Sequence, residues 1–395
     1  MLKMSTDVVA QTESLADLVR PLLPAIGARA VDAERLRSVP AESVEDLRRV
    51  GFLTALVPAR FGGGERSPAE VAEATRLLSG ACTSTAWAMQ LLTVHAHTIA
   101  SYSPQLQDEI WGGGPDTLVC SSVAPIGKSE QVAGGIRLSG RYAWSSGCEH
   151  AHWAMLGLLL PGIDGVPEPH LAVVPRSDYT IQDTWYSMGL KGTGSHDLVV
   201  EDAFVPSYRI ESFSALNHGT ARGFGTHAAP IYRLPFAPVF AIGFSAIALG
   251  AAEAMRDLYK ERLASRVRAY TGAKVAESAP ALMRLAESEH ELRSAYRMLR
   301  QDWNDLDALA NSGRLATADE LVNWRTNQSY VTNVCVRAAD RLFEASGGAA
   351  VRDENPMQRF WRDIHAGAAH AYSDYDVAAQ VLGSHMAQVA VDGIF

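Results

Sequence analysis

From Leu234 to Ala252 the chain carries no charged side chain; charge returns only at Glu253 and Arg256. An uncharged run of that length either crosses a bilayer or is buried in protein. Pro235, Pro238, Gly243 and Gly250 interrupt it and charge follows directly, which predicts the start of a buried helix rather than a membrane span. A helix without a polar face needs partners all round, hence several other helices and a chain long enough to supply them. With 395 residues, 47% of them hydrophobic, the chain can supply both two or three packed units and a real core. Disorder is excluded as the main state. With 35 basic against 44 acidic residues, the net charge of −9 disfavours nucleic acid as a ligand. Cys82, Cys120, Cys148 and Cys335 are far apart, so neither a zinc site nor a disulfide framework is expected, and a reducing compartment fits. The N-terminus lacks the apolar run of a signal peptide. A cytoplasmic protein with no membrane partner is expected.

Three regions differ in periodicity. Residues 1–117 read as a helical domain: Leu15, Leu18, Val19, Leu22 and Leu23 fall at helical spacing. Ser67-Pro68-Ala69-Glu70 predicts a capping box, Ser103-Pro104 a second helix start, and Arg60–Gly64 a turn. Residues 118–212 read as a β domain. Ile136, Leu138, Tyr142 and Trp144 are expected on one face of a strand, with Arg137, Ser139 and Arg141 on the other. Trp153–Leu160, His170–Val174 and Asp197–Val200 are further strands. Residues 213–395 read as a helical bundle that opens on a Gly- and His-bearing loop, 213–233, which suits a lid over a substrate. Leu282, Leu285, Leu292, Tyr296, Leu299, Trp303 and Leu306 form a core stripe, and Thr317-Ala-Asp-Glu320 a second capping box.

Three segments carry the chemistry: Leu138-Ser-Gly-Arg-Tyr-Ala-Trp144-Ser145-Ser146-Gly147, Ser265–Gly272 with Arg268, and Gly347-Gly348 followed by Pro356–Asp363. Singly each has a plain structural reading: a core Trp, a solvated Arg, a helix C-cap. In this order they resemble the acyl-CoA dehydrogenase superfamily over most of the chain. The resemblance implies an N-terminal helical domain, a central β-barrel or sandwich domain and a C-terminal four-helix bundle, mostly α within an α+β fold, assembled as a homotetramer. It places Trp144, Ser145, Ser146 and Gly147 against a flavin ring, with the Ser146 hydroxyl at flavin N5. It places Arg268 at the flavin phosphate, and Gly347 and Gly348 where backbone approaches a neighbouring subunit's cofactor.

The family's dehydrogenases abstract a proton with a Glu, but the matching position here is Ala371, and Pro235–Gly250 holds no carboxylate. Without a positioned base that reaction is disfavoured. Beside the vacancy stands His370. Together with Trp144–His150, Trp185–Ser195, Leu342–Gly347 and Arg359–Gly367, it resembles the two-component flavin-dependent aromatic monooxygenase branch, which includes p-hydroxyphenylacetate and secoandrostatriene-dione hydroxylases. That resemblance implies an oxygenase component hydroxylating a phenolic or indolic ring through a C4a-hydroperoxyflavin, with O₂ as co-substrate. Reduced FAD or FMN, FAD favoured, would come from a separate NAD(P)H-flavin reductase. His370 would manage the proton at the peroxide, Ser146 would hold N5–H, and His95 with Ser121 would contact the substrate oxygen; Ser122 is the alternative to Ser121. His95 and His97, two apart on a helix, do not share a face, which argues against a metal pair. The alternatives are N- or S-oxygenation on the same fold, or an acyl-CoA dehydrogenase-type oxidoreductase.

Overall fold

The computed structural model describes residues 13–162, 165–267 and 270–389. Seven helices come first: α1 (Leu15–Val19), α2 (Leu23–Ala28), α3 (Ala30–Leu36), α4 (Ala41–Arg49), α5 (Pro68–Ala81), α6 (Thr83–Ala100) and α7 (Pro104–Trp111). Strands follow: β1 (Val119–Val132), β2 (Gly135–Ser145), β3 (Trp153–Pro161), β4 (Pro167–Pro175), β5 (Thr180–Gln182), β6 (His196–Pro206) and β7 (Ile210–Ser212). The last six helices are α8 (Phe213–His218), α9 (Phe236–Ser265), α10 (Ala279–Ser312), α11 (Ala318–Ser346), α12 (Pro356–Ala368) and α13 (Tyr375–Met386).

The uncharged stretch is the first half of α9. It is buried against α5 and α6 on one side and α10, α11 and α12 on the other. Length and composition alone would let this helix cross a membrane, but the protein itself encloses its apolar window. Gly250 is what lets α5 come so close: a Cβ there would lie 2.0 Å from the Arg76 carbonyl oxygen. Ser79 on the same face of α5 donates to the Ile247 carbonyl at 2.7 Å.

The strands form one mixed sheet in the order β5-β6-β2-β1-β3-β4-β7. Strand β1 belongs to both halves, pairing in parallel with β3 through its first part and antiparallel with β2 through its last, with a register shift between Ser122 and Gly127. The bundle comprises three long helices, α9, α10 and α11, and a fourth position divided between α12 and α13. Only six residues separate those two, and His370 is one of them.

Several sequence expectations need correction. Trp144 does not share the buried face of Ile136, Leu138 and Tyr142: it is 73% exposed, for a reason given below. Leu282 is 47% exposed and falls off the α10 stripe, which is buried at Leu292, Leu299, Trp303 and Leu306. Ser67 caps α5, accepting from the Ala69 amide at 3.0 Å, but Glu70 bonds Arg66 and the Leu15 amide instead of closing a box. The box at Thr317 and Glu320 forms in full. The stretch up to Arg233 is not a bare loop: it holds α8 and a 3-10 turn over Pro230–Arg233, and Leu216, Ile231 and Tyr232 are buried.

Candidate active site

Strand β2 pairs with β6, with one register shift between Leu138 and Gly140, up to Tyr142, opposite Leu198, and resumes at Ser145, opposite His196. The extra β2 residue makes a bulge, and Trp144 takes it up with a left-handed φ of 64°. A bulky residue in that region is strained, and such strain gathers at functional sites. The bulge turns the indole outward as an open aromatic platform and leaves Ser145 and Ser146 buried behind it. Ser146 Oγ receives the Trp87 indole N–H at 3.2 Å and lies 2.7 Å from Ser195 Oγ. Ser195 Oγ is 2.6 Å from Thr193 Oγ1, which donates to the Leu190 carbonyl at 2.9 Å. Gly147, with φ 70°, then turns the chain into the next helical turn.

Helix α6 is buried along its whole length and carries His95 toward the start of β1. His95 Nδ1 lies 2.7 Å from the Val119 carbonyl, an acceptor only, so Nδ1 bears the ring hydrogen. Nε2 is therefore bare and accepts from Ser121 Oγ at 3.0 Å. Ser122, the alternative, donates to the Ala143 carbonyl instead. Burial pushes His95 down to about 4, leaving it neutral near pH 7. His97 points elsewhere, bonding the Ile231 carbonyl and stacking on Tyr232.

His370 sits where the fourth bundle position breaks. Its Nδ1 accepts from the Tyr372 amide at 3.2 Å, so in the neutral ring Nε2 carries the hydrogen. Arg325 of α11 donates to the Ala371 and Tyr372 carbonyls and satisfies the turn. Burial first, and this guanidinium second, push His370 down to about 4. The ring meets Phe244 at 4.3 Å and Trp87 at 5.7 Å between centroids. Phe240 stacks on His95 at 5.9 Å and meets Tyr372 at 5.5 Å. These rings join Ser146, His370 and His95 along one aromatic wall. Behind Tyr372 opens a cavity of about 280 Å³ lined by Phe213, Ala237, Pro238, Ala241 and Arg325.

The other expected residues lie apart. Gly347 has φ 71°, and a Cβ there would come 2.2 Å from the Arg266 guanidinium, so its missing side chain makes room for Arg266 of the same chain. Gly348 is open. Arg268 lies outside the described residues. Among the described residues no cluster of potential metal ligands occurs. No carboxylate there is hydrogen-bonded to Ser146, His95, Ser121 or His370; Glu253, the nearest acid along α9, pairs with Arg76. Asp363 is buried and accepts the Leu190 amide at 2.6 Å, joining α12 to the turn before β6. Sequence reading missed Trp87, Thr193, Phe240, Phe244, Tyr372 and Arg325 as members of the site. Thr193 and Ser195 fell within a quoted motif, but nothing in their spacing announced a hydroxyl chain.

The family "Acyl-CoA dehydrogenase, C-terminal domain" matches residues 242–375. The p-hydroxyphenylacetate 3-hydroxylase oxygenase component of Acinetobacter baumannii is 44% identical over 94% of this chain and 89% of its own length. The flavin-dependent monooxygenase oxygenase subunit HsaA of Mycobacterium tuberculosis is 40% identical over 94% and 95%. The crystal structure of a 3-HSA hydroxylase from Rhodococcus sp. RHA1 superposes with a TM-score of 0.91 at 36% identity, covering 97% of this chain and 98% of that one. A wall of rings with two neutral imidazoles and, among the described residues, no carboxylate bonded to them, on a fold and sequence shared this fully, leads to one assignment: the chain belongs to the oxygenase components of flavin-dependent aromatic monooxygenases, built on the acyl-CoA dehydrogenase fold.

Proposed function

We propose that this enzyme hydroxylates a phenol, taking reduced FAD from a separate NAD(P)H-dependent reductase and one oxygen atom from O₂. The observation that carries the phenol is the Ser121–His95 pair. Ser121 gives its hydrogen to His95 Nε2, so its oxygen is free to accept a substrate hydroxyl's hydrogen. Accepting that hydrogen, with neutral His95 behind Ser121, would polarise the substrate O–H and make the ring oxygen more electron-rich, as attack by an electrophilic oxygen requires. A phenol is also the substrate type named for the relative hydroxylating p-hydroxyphenylacetate.

The residues present suit a flavin: Trp144 offers an open flat platform, and Ser146 beside it keeps one unfilled acceptor position. When bound, reduced flavin supplies the electrons that activate O₂ and passes one oxygen to the ring. Ser146 would hold flavin N5–H. His370, neutral with its hydrogen on Nε2, would donate to the reacting oxygen without adding a charge. Phe240, Phe244, Trp87 and Tyr372 exclude water from that step. FAD is preferred over FMN because the resorcinol hydroxylase relative is named FADH₂-dependent. A homotetramer would let Arg268 and the Gly347–Gly348 backbone meet flavin across a subunit boundary.

The test supplies the protein with a generic flavin reductase, NADH, FAD and ¹⁸O₂, and offers phenols beside their methyl ethers. Phenols are expected to gain one labelled oxygen, and the ethers to react roughly tenfold more slowly or worse. Equal turnover of a phenol and its ether would overturn the assignment to Ser121 and His95.

A further inference from the structure

Hydroxyl hydrogens are few enough in the Ser146 chain to be counted. Three short oxygen–oxygen contacts run in series: Leu190 O to Thr193 at 2.9 Å, Thr193 to Ser195 at 2.6 Å and Ser195 to Ser146 at 2.7 Å. Each needs a hydrogen between its oxygens, since two lone pairs at such distances repel. Leu190 O has none to give, so each hydroxyl spends its only hydrogen in the direction of Leu190. Thr193 donates to the carbonyl, Ser195 to Thr193 and Ser146 to Ser195. At the far end the Trp87 indole N–H, a donor only, fills one lone pair of Ser146. All four side chains are buried. Ser146 is left with one lone pair and no hydrogen.

We infer that this one-way chain makes Ser146 a pure acceptor and so selects the reduced flavin over the oxidised one. The inference rests on the reading that Ser146 faces flavin N5. N5 of a reduced flavin bears a hydrogen and can donate to Ser146; N5 of an oxidised flavin presents a lone pair and meets another. Thr193 and Ser195, which touch no flavin atom under this reading, are positioning residues: they fix the direction of the Ser146 hydroxyl. The site would thus take up the carrier with N5–H and let it go without.

The experiment is a set of dissociation constants for oxidised FAD, by fluorescence, and for reduced FAD, by anaerobic titration. It covers the wild type and Ser195→Ala, Thr193→Val and Ser146→Ala. Ser195→Ala frees the Ser146 hydrogen. Thr193→Val does so one step removed, because Ser195 must then turn its hydrogen to Ser146. The Leu190 carbonyl keeps the Trp185 indole N–H at 2.8 Å, so Thr193→Val leaves no buried backbone oxygen bare. In both variants oxidised FAD is expected to bind about tenfold more tightly, with reduced FAD within about twofold, the scale of one hydrogen bond regained. If both variants keep the wild-type ratio, or weaken the two forms equally, while Ser146→Ala weakens reduced FAD, the one-way chain is wrong and the placement of Ser146 stands. If Ser146→Ala alters neither constant, the placement itself is wrong. A wild type that binds both forms equally would also overturn the inference.

Discussion

His370 and His95 are both imidazoles held down to about 4, yet their neighbours fix opposite tautomers. One presents an N–H to the site; the other presents a bare nitrogen through Ser121. A single protonation would spoil either role, and burial is what prevents it. Carbon-detected NMR of labelled histidine should show both rings neutral from pH 8 down to pH 5, with midpoints near 4 rather than the usual 6.5. Replacing His370 by Ala removes the neutral donor: product formed per O₂ should fall and free hydrogen peroxide rise, with the oxygenation rate down by on the order of 10²-fold. Coupled assays of product, peroxide and O₂ uptake check this; unchanged coupling would remove His370 from the reaction. These two histidines, Ser121 and Ser146 were legible as residue types in recognisable motifs. Trp87 and Thr193 were not, because a hydrogen-bond chain crossing from α6 to the β5–β6 connection leaves no period in the sequence.

Two elements depart from regular geometry, and both departures serve the site. The β2 bulge cost the alternation rule its prediction at Trp144: the pattern was sound to Tyr142, and one inserted residue then reversed the face. No residue type in Ala143–Trp144 announces this. The break between α12 and α13 is the second departure. Arg325 closes it by donating to the Ala371 and Tyr372 carbonyls, and its charge acts on the His370 ring. Arg325→Met should therefore raise the His370 midpoint toward 6.5 and weaken coupling, whereas a purely structural residue would lower stability alone. NMR titration and thermal melting separate the two. Gly250→Ala drives a methyl against the Arg76 carbonyl and should cost about 1–3 kcal/mol, read as a lower melting temperature.

For the whole molecule, the order of helical unit, sheet and bundle followed from changes of hydrophobic period, and the long apolar run located the central helix. Less legible was how the chain meets copies of itself. Val267, Tyr270, Met283 and Val351 are largely exposed apolar side chains near the end of α9, the start of α10 and the end of α11. Under the tetramer proposal they would be covered, so Tyr270→Glu with Met283→Glu should shift the sedimentation coefficient to that of smaller species. It should also weaken FAD, since Tyr270 is only two residues along the chain from Arg268, the expected phosphate ligand. An unchanged sedimentation profile would place the contact elsewhere.

Dividing one bundle position between two short helices has a consequence for what this scaffold can become. The three long helices carry most of the bundle core, so changes at the exposed positions of the intervening turn leave the interior uncut, whereas Tyr372 and Ser373 are packed into it. Ala371, next to the imidazole along the chain, is such an exposed position. A carboxylate grafted there would probe how short a step separates oxygen insertion from proton abstraction on the same frame.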